Sequence, residues 1–151
     1  MLEQPAVNSG RVMRTRLAAA LCGTVLTAGT LLSAPTASAQ ATAYPTTPFD
    51  VTVGNTYTRG TITWYDRSVG VTGTEKSVDV SNCRGTTVFT LDSARHQLDF
   101  NYSGGVCGTS AAFTAPATAD VPGGASFVRV CLDDAGVYPP TYYLCKVYGR
   151  P

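Results

Sequence analysis

Few residue types in this chain could do chemistry: five cysteines, one histidine, two carboxylate pairs and a group of tyrosines beside turn signals. Cys83, Cys107, Cys131 and Cys145 form an even set without a Cys-x-x-Cys pair, and one histidine is too few for a mixed zinc site, so covalent pairing is favoured over metal ligation. Four cysteines allow three pairings. Cys83 and Cys107 lie equally far from residue 95, in the polar stretch 92–97 (DSARHQ), and Cys131 and Cys145 flank residue 138, in the stretch 133–140 (DDAGVYPP). If both stretches are hairpin turns, the bridges are Cys83 to Cys107 and Cys131 to Cys145, each spanning one hairpin.

His96 shares its turn with Ser93 and Asp92, which are too close in sequence to take the separate positions of nucleophile, base and orienter. The chain also lacks a Gly-x-Ser-x-Gly elbow, so His96 reads as a solvated turn residue. Asp133 and Asp134 lack the alternating oxygen ligands of a calcium loop and read as turn carboxylates. Asp92 and Asp99 would have to flank a cleft with well-separated pKa values to hydrolyse a glycoside, and a small domain with acids on its solvent faces offers none by default. No catalytic residue, metal ligand or cofactor is expected.

The aromatic residues are a different matter. Trp64 points inward by strand alternation and is expected in the core. Tyr65 and Arg67 follow it, and Tyr138, Tyr142 and Tyr143 surround Pro139-Pro140. Tyr65, Tyr138 and one of Tyr142 or Tyr143 are hard to bury. Beside Arg67 they would make a contact patch for a protein or a carbohydrate, which is the expected binding site.

These residues depend on strands for their positions. From residue 51 the pattern has period two: Ile62 and Trp64; Val69 and Val71; Phe89 and Leu91; Leu98, Phe100 and Tyr102. Further strands are expected at 110–115, 126–132 and 142–148, separated by Pro116, Pro122-Gly123-Gly124 and the Pro139-Pro140 turn. No helical stripe appears in this region. About seven short strands predict an all-β fold, a single immunoglobulin-like or related antiparallel β-sandwich over 51–151, preceded by a flexible or edge-hugging lead-in at 40–50. One conflict stands out. Val128, Val130 and Leu132 claim the inner face of their strand and leave Cys131 outside, while Tyr143, Cys145 and Val147 look like the apolar set of the partner strand. A bulge or a boundary disulfide would reconcile the two.

Upstream, Arg11, Arg14 and Arg16 precede an apolar run from Leu17 to about Leu32 and the small triplet Ala37-Ser38-Ala39. This reads as a secretory signal peptide at 1–39, with Met13 as an alternative start and Gln40 as the first residue after cleavage. The run is too short for a membrane span. Leu21 stands where a lipidation signal at Cys22 would want a small residue, so no lipid anchor is expected. Residues 40–151 carry eight basic and nine acidic side chains, scattered singly, which leaves no basic stripe for nucleic acid. Arginine outnumbers lysine nine to two, as in GC-rich bacterial genomes, and an actinobacterial source is expected.

The Arg67-Ser-Val-Gly-Val-x-Gly73 stretch, and Val121-Pro-Gly-Gly ahead of Phe127-Val-Arg-Val-Cys131, resemble small secreted actinobacterial β-sandwich proteins of undefined function. Two functional families are similar in compartment and size. The tendamistat-type amylase inhibitors have two disulfides and an exposed Trp-x-Tyr loop, whereas this chain has Trp64-Tyr65 with no intervening Arg and a different cysteine spacing. The enediyne-carrier apoproteins are seven-stranded sandwiches whose bridges close shorter loops. Neither family's site residues transfer to this chain. The expected function is therefore a secreted, extracellular, non-catalytic interaction or structural module, with a protein or carbohydrate as partner. The alternative is an inhibitor of an extracellular hydrolase acting through the 133–143 loop.

Overall fold

The computed structural model describes residues 43–136 and 139–151. The expected signal peptide, the alternative start at Met13, Cys22 and Tyr138 lie outside the described residues. Among those described, every regular element is a strand, and the strands form two antiparallel sheets packed as a sandwich.

The first sheet contains β1 (Thr46–Val53), β2 (Thr56–Trp64), β3 (Ser68–Lys76), β6 (Ser110–Thr114) and the two-residue β7 (Ala117–Thr118). Its order is β1-β2-β3-β6, with β7 also paired to β3. β6 and β7 act as one broken partner: Ala115 N–H still donates to Val71 O at 2.8 Å before Pro116 interrupts the ladder. The second sheet contains β4 (Gly85–Leu91), β5 (Gln97–Tyr102), β8 (Phe127–Asp133) and β9 (Tyr142–Gly149), in the order β5-β4-β8-β9.

Alternation explains the core. Phe49 and Val51, Ile62 and Trp64, and Val69 and Val71 face Val88, Val128, Val130 and Leu132 across the sandwich and form one buried cluster. Trp64 is fully buried, and its indole N–H donates to Thr47 Oγ1 at 2.9 Å. Phe49 and Val51 are buried too, which corrects the reading of 40–50 as a lead-in: from Thr46 onward it is an edge strand. Pro48 is tolerated there because an edge leaves one side of the ladder open. The strand turns back into β2 through Gly54-Asn55, with Gly54 at φ 59°, where a two-residue hairpin favours glycine.

The second sheet is apolar on both faces. All seven residues of β4 are buried: Val88 belongs to the inter-sheet core, whereas Phe89 and Leu91, read from sequence as the core-facing pair, lie on the outer face with Cys131. Phe100, Phe127 and Cys145 pack against that outer cluster. The pattern of β5 also shifts. A register irregularity opposite Thr90 and Leu91 lets Leu98 join the inner core, sends Phe100 to the outer cluster and leaves Tyr102 62% exposed, so the three do not share one buried face.

Both disulfides form as expected, Cys83 with Cys107 and Cys131 with Cys145. Cys131 and Cys145 stand directly opposite each other on β8 and β9 in regular register and belong to the outer cluster, so the conflict in strand parity is resolved by an outward-facing disulfide; the bulge between Leu132 and Asp133 comes only after it.

Candidate functional site

One end of the sandwich collects polar groups that the period-two pattern would otherwise fill with apolar ones. Counting inward along β3 from Val69 and Val71 reaches Glu75, which is only 2% exposed. Its carboxylate accepts from the Thr86 hydroxyl at 2.9 Å and from the Ser103 hydroxyl, and the Thr86 and Thr58 hydroxyls lie 2.7 Å apart. Ser103 also ties the strand ends together: it accepts from Thr86 N–H at 2.9 Å, and its own N–H donates to Thr86 O. Desolvation pushes the Glu75 carboxyl above its ordinary range, against the lowering effect of Ser103 and Thr86, and the charge of Asp133 raises it further.

Asp133 ends β8 on the outer face, two residues past Cys131, and is 3% exposed. Its Oδ2 accepts from the Thr87 hydroxyl at 2.7 Å and its Oδ1 from Ala135 N–H at 2.8 Å. Burial is again the dominant cause and raises its pKa, with Asp134 adding to the effect. The fit around it is close: a Cβ added to Gly85 would stand 2.6 Å from Asp133 Oδ1. Asp134 plays a different part. Its Oδ1 accepts from Gly136 N–H and Thr141 N–H, both at 3.1 Å, and so fixes the two ends of the β8–β9 turn, the turn-carboxylate role expected from sequence.

Beside Asp133 lies a cavity of about 120 Å³ on the outer face of the second sheet. Phe100, Tyr102 and Tyr142 supply its rings, Asp133 its one acid, and Ser103, Ala135 and Pro140 part of its rim. Tyr142 also meets Phe89 edge to face, with ring centroids 5.9 Å apart. The neighbouring Tyr143 ring carries the Arg84 guanidinium at 4.2 Å.

The sequence-predicted contact residues do not form one patch. Tyr142 and Tyr143 open β9 at the cavity end, whereas Tyr65 and Arg67 sit in the β2–β3 turn at the other end, where Arg150, past the far end of β9, donates to Tyr65 O at 3.1 Å. The length of β9 alone separates the two groups by roughly 25 Å. Tyr65 packs on Tyr44 with centroids 4.7 Å apart, and Arg67 is ion-paired with Asp120. His96 is 78% exposed in its side chain, with Nδ1 3.2 Å from Asp92, in the β4–β5 turn at that same far end. Asp99 spends one oxygen on the N–H and hydroxyl of Thr118, so Asp92 and Asp99 do not face each other across a cleft.

Sequence reasoning missed Glu75, Ser103 and the burial of Asp133. The signal was present for Glu75, which continues the inward parity of Val69 and Val71. It was absent for Asp133, whose outer face is covered by residues distant in sequence. Among the described residues no three His, Cys, Asp or Glu side chains converge on a metal site. No family model, curated protein or solved structure matches the chain.

Glu75 gives a pH dependence of definite sign. Its folded pKa lies above the ordinary value of 4.5, so its contribution to stability is fully present below 4.5 and is lost as pH rises through the folded value. Asp99, held low chiefly by its bond from the Thr118 hydroxyl, acts in the opposite direction in more acidic solution. Glu75→Gln, which resembles the protonated acid, is therefore expected to be more stable than wild type at neutral pH and to converge with it near pH 4. Urea denaturation of both proteins across that range checks this; a wild type that gains on the variant as pH rises would contradict it.

Proposed function

We infer that the chain is a secreted, non-catalytic recognition module that binds its partner through the outer face of the four-stranded sheet, beside the β8–β9 hairpin. The carrying observation is the cavity where Phe100, Tyr102 and Tyr142 surround the buried carboxylate of Asp133. The base of the hairpin at its edge is fastened twice, by the Cys131–Cys145 bridge and by Asp134, so Tyr142 and Tyr143 have little ordering entropy left to lose on binding. Secretion fits the two disulfides and the signal-like stretch at 11–39.

Binding is favoured over hydrolysis because acid chemistry on a glycoside needs two carboxyl groups flanking the substrate. Asp133 is the one carboxylate among the described residues that line the cavity; Glu75 is buried in the sandwich, where Thr86 and Ser103 donate to its Oε2. An immunoglobulin-like topology is supported by strand order: β2-β3-β6/β7 in one sheet and β5-β4-β8-β9 in the other correspond to A-B-E and C′-C-F-G, with β1 added at the edge. An inhibitor of an extracellular hydrolase would act through the 133–143 loop, and its captured partner would be that enzyme.

The test is capture from culture supernatant and cell wall with residues 40–151 as bait. Tyr142→Ala is expected to lose the partner and His96→Ala to retain it. Capture indifferent to Tyr142 would remove this face from consideration.

A further inference from the structure

Four donors around the cavity are already committed. Ser103 hydroxyl is bonded to Glu75, Thr87 hydroxyl to Asp133, Ala135 N–H to Asp133 and Gly136 N–H to Asp134. What the walls offer a ligand is therefore mostly electron-rich: ring surfaces with negative faces, and the spare lone pairs of Asp133, each of whose oxygens receives one donor where a carboxylate oxygen takes about two. Among the described residues no Lys, Arg or His stands within ion-pair distance of Asp133.

An anion would meet Asp133 unscreened. A sugar hydroxyl both donates and accepts, and among the described residues would find few donors in return. A hard divalent cation wants six or more oxygens, which this wall does not supply. An ammonium group, in contrast, only donates, carries the charge that Asp133 lacks a partner for, and is attracted to aromatic faces.

Resting on the reading of this face as the recognition surface, we propose that the cavity binds a small organic cation, its ammonium group directed at Asp133 and its alkyl part against Phe100, Tyr102 and Tyr142. The size agrees: about 120 Å³ is well below the roughly 300 Å³ at which drug-sized sites begin, and suits a headgroup of several heavy atoms.

The experiment is a titration followed by amide NMR on the purified, disulfide-intact protein, with n-butylammonium as probe and 1-butanol as its uncharged counterpart. Saturable shifts at Thr87, Phe100 and Asp133 are expected with butylammonium, and affinity roughly tenfold or more weaker for butanol. Asp133→Asn, which can keep the bond from Ala135 N–H, is expected to erase that preference for charge. Equal binding of butanol by wild type, undiminished butylammonium binding by Asp133→Asn, or no saturable shift would each overturn the proposal. The comparison of the two probes on wild type holds even if the variant fails to fold. Should butylammonium fail while Tyr142→Ala still abolishes partner capture, the cation falls and the recognition face stands; capture indifferent to Tyr142 would remove the face itself.

Discussion

Trp64→Ala is expected to destabilise the domain by about 3–5 kcal/mol, the range for emptying a large aromatic site that the surroundings cannot close. Trp64 is fully buried in the inter-sheet core at the end of β2, paired with Val69 of β3 and with its N–H bonded to Pro45 O ahead of β1. The substitution also leaves Thr47 Oγ1 without its indole donor. A domain of this size has only about 5–15 kcal/mol in total, so a large fraction of the margin disappears. Denaturant titration at constant pH would show the midpoint falling steeply with little change in slope. A loss below about 1 kcal/mol would mean that the tryptophan is not packed in the core as described.

The second large effect concerns the bridge behind the site. Cys131→Ala with Cys145→Ala is expected to cost about 3 kcal/mol, because the 14-residue separation closes a loop whose freedom is otherwise regained in the unfolded chain. Cys83→Ala with Cys107→Ala should cost a similar or slightly larger amount, since its separation is 24. The pairs differ in consequence. Only the first fastens the hairpin that presents Tyr142, so only the first should also weaken binding at a temperature where both variants remain folded. Equal binding losses from the two pairs would indicate that the bridges act on the fold alone.

Much of this architecture could be read from residue order because strands carry their instructions locally. Ile62 and Trp64, Val69 and Val71, and Val128, Val130 and Leu132 each alternate cleanly, and each set faces the core. The cysteine pairs were legible for the same reason: a hairpin makes partners of residues equidistant from its turn, and both bridges obey that rule. Where local pattern failed, a second layer of packing had intervened. Phe89 and Leu91 looked like core residues because the outer face of β4 is covered as thoroughly as the inner one, and period two cannot distinguish the faces of a strand buried on both sides. Pro45 and Pro48 made residues 40–50 look like a lead-in, yet an edge strand accepts proline, and Phe49 and Val51 supply enough apolar area to hold it down.

The candidate site was half legible. Tyr142 and Tyr143 stood out as tyrosines around a proline turn, whereas Tyr65 and Arg67 looked like their neighbours only because sequence does not say which end of a sandwich a turn occupies. Asp133 was mistaken for a second turn carboxylate like Asp134. Strand alternation separates the two: Asp133, two residues past Cys131 and still in register with β4, lies on the outer face over Thr87, whereas Asp134 belongs to the turn.

The most direct measurement is the affinity of the captured partner for three proteins, wild type, Tyr142→Ala and His96→Ala, all shown to be folded. Recognition at the outer face of the four-stranded sheet predicts that wild type and His96→Ala agree and that Tyr142→Ala is weaker by about 1–3 kcal/mol, roughly 5- to 150-fold in dissociation constant. Equal affinity across all three, or loss of an enzymatic activity on His96→Ala with the fold intact, would contradict it.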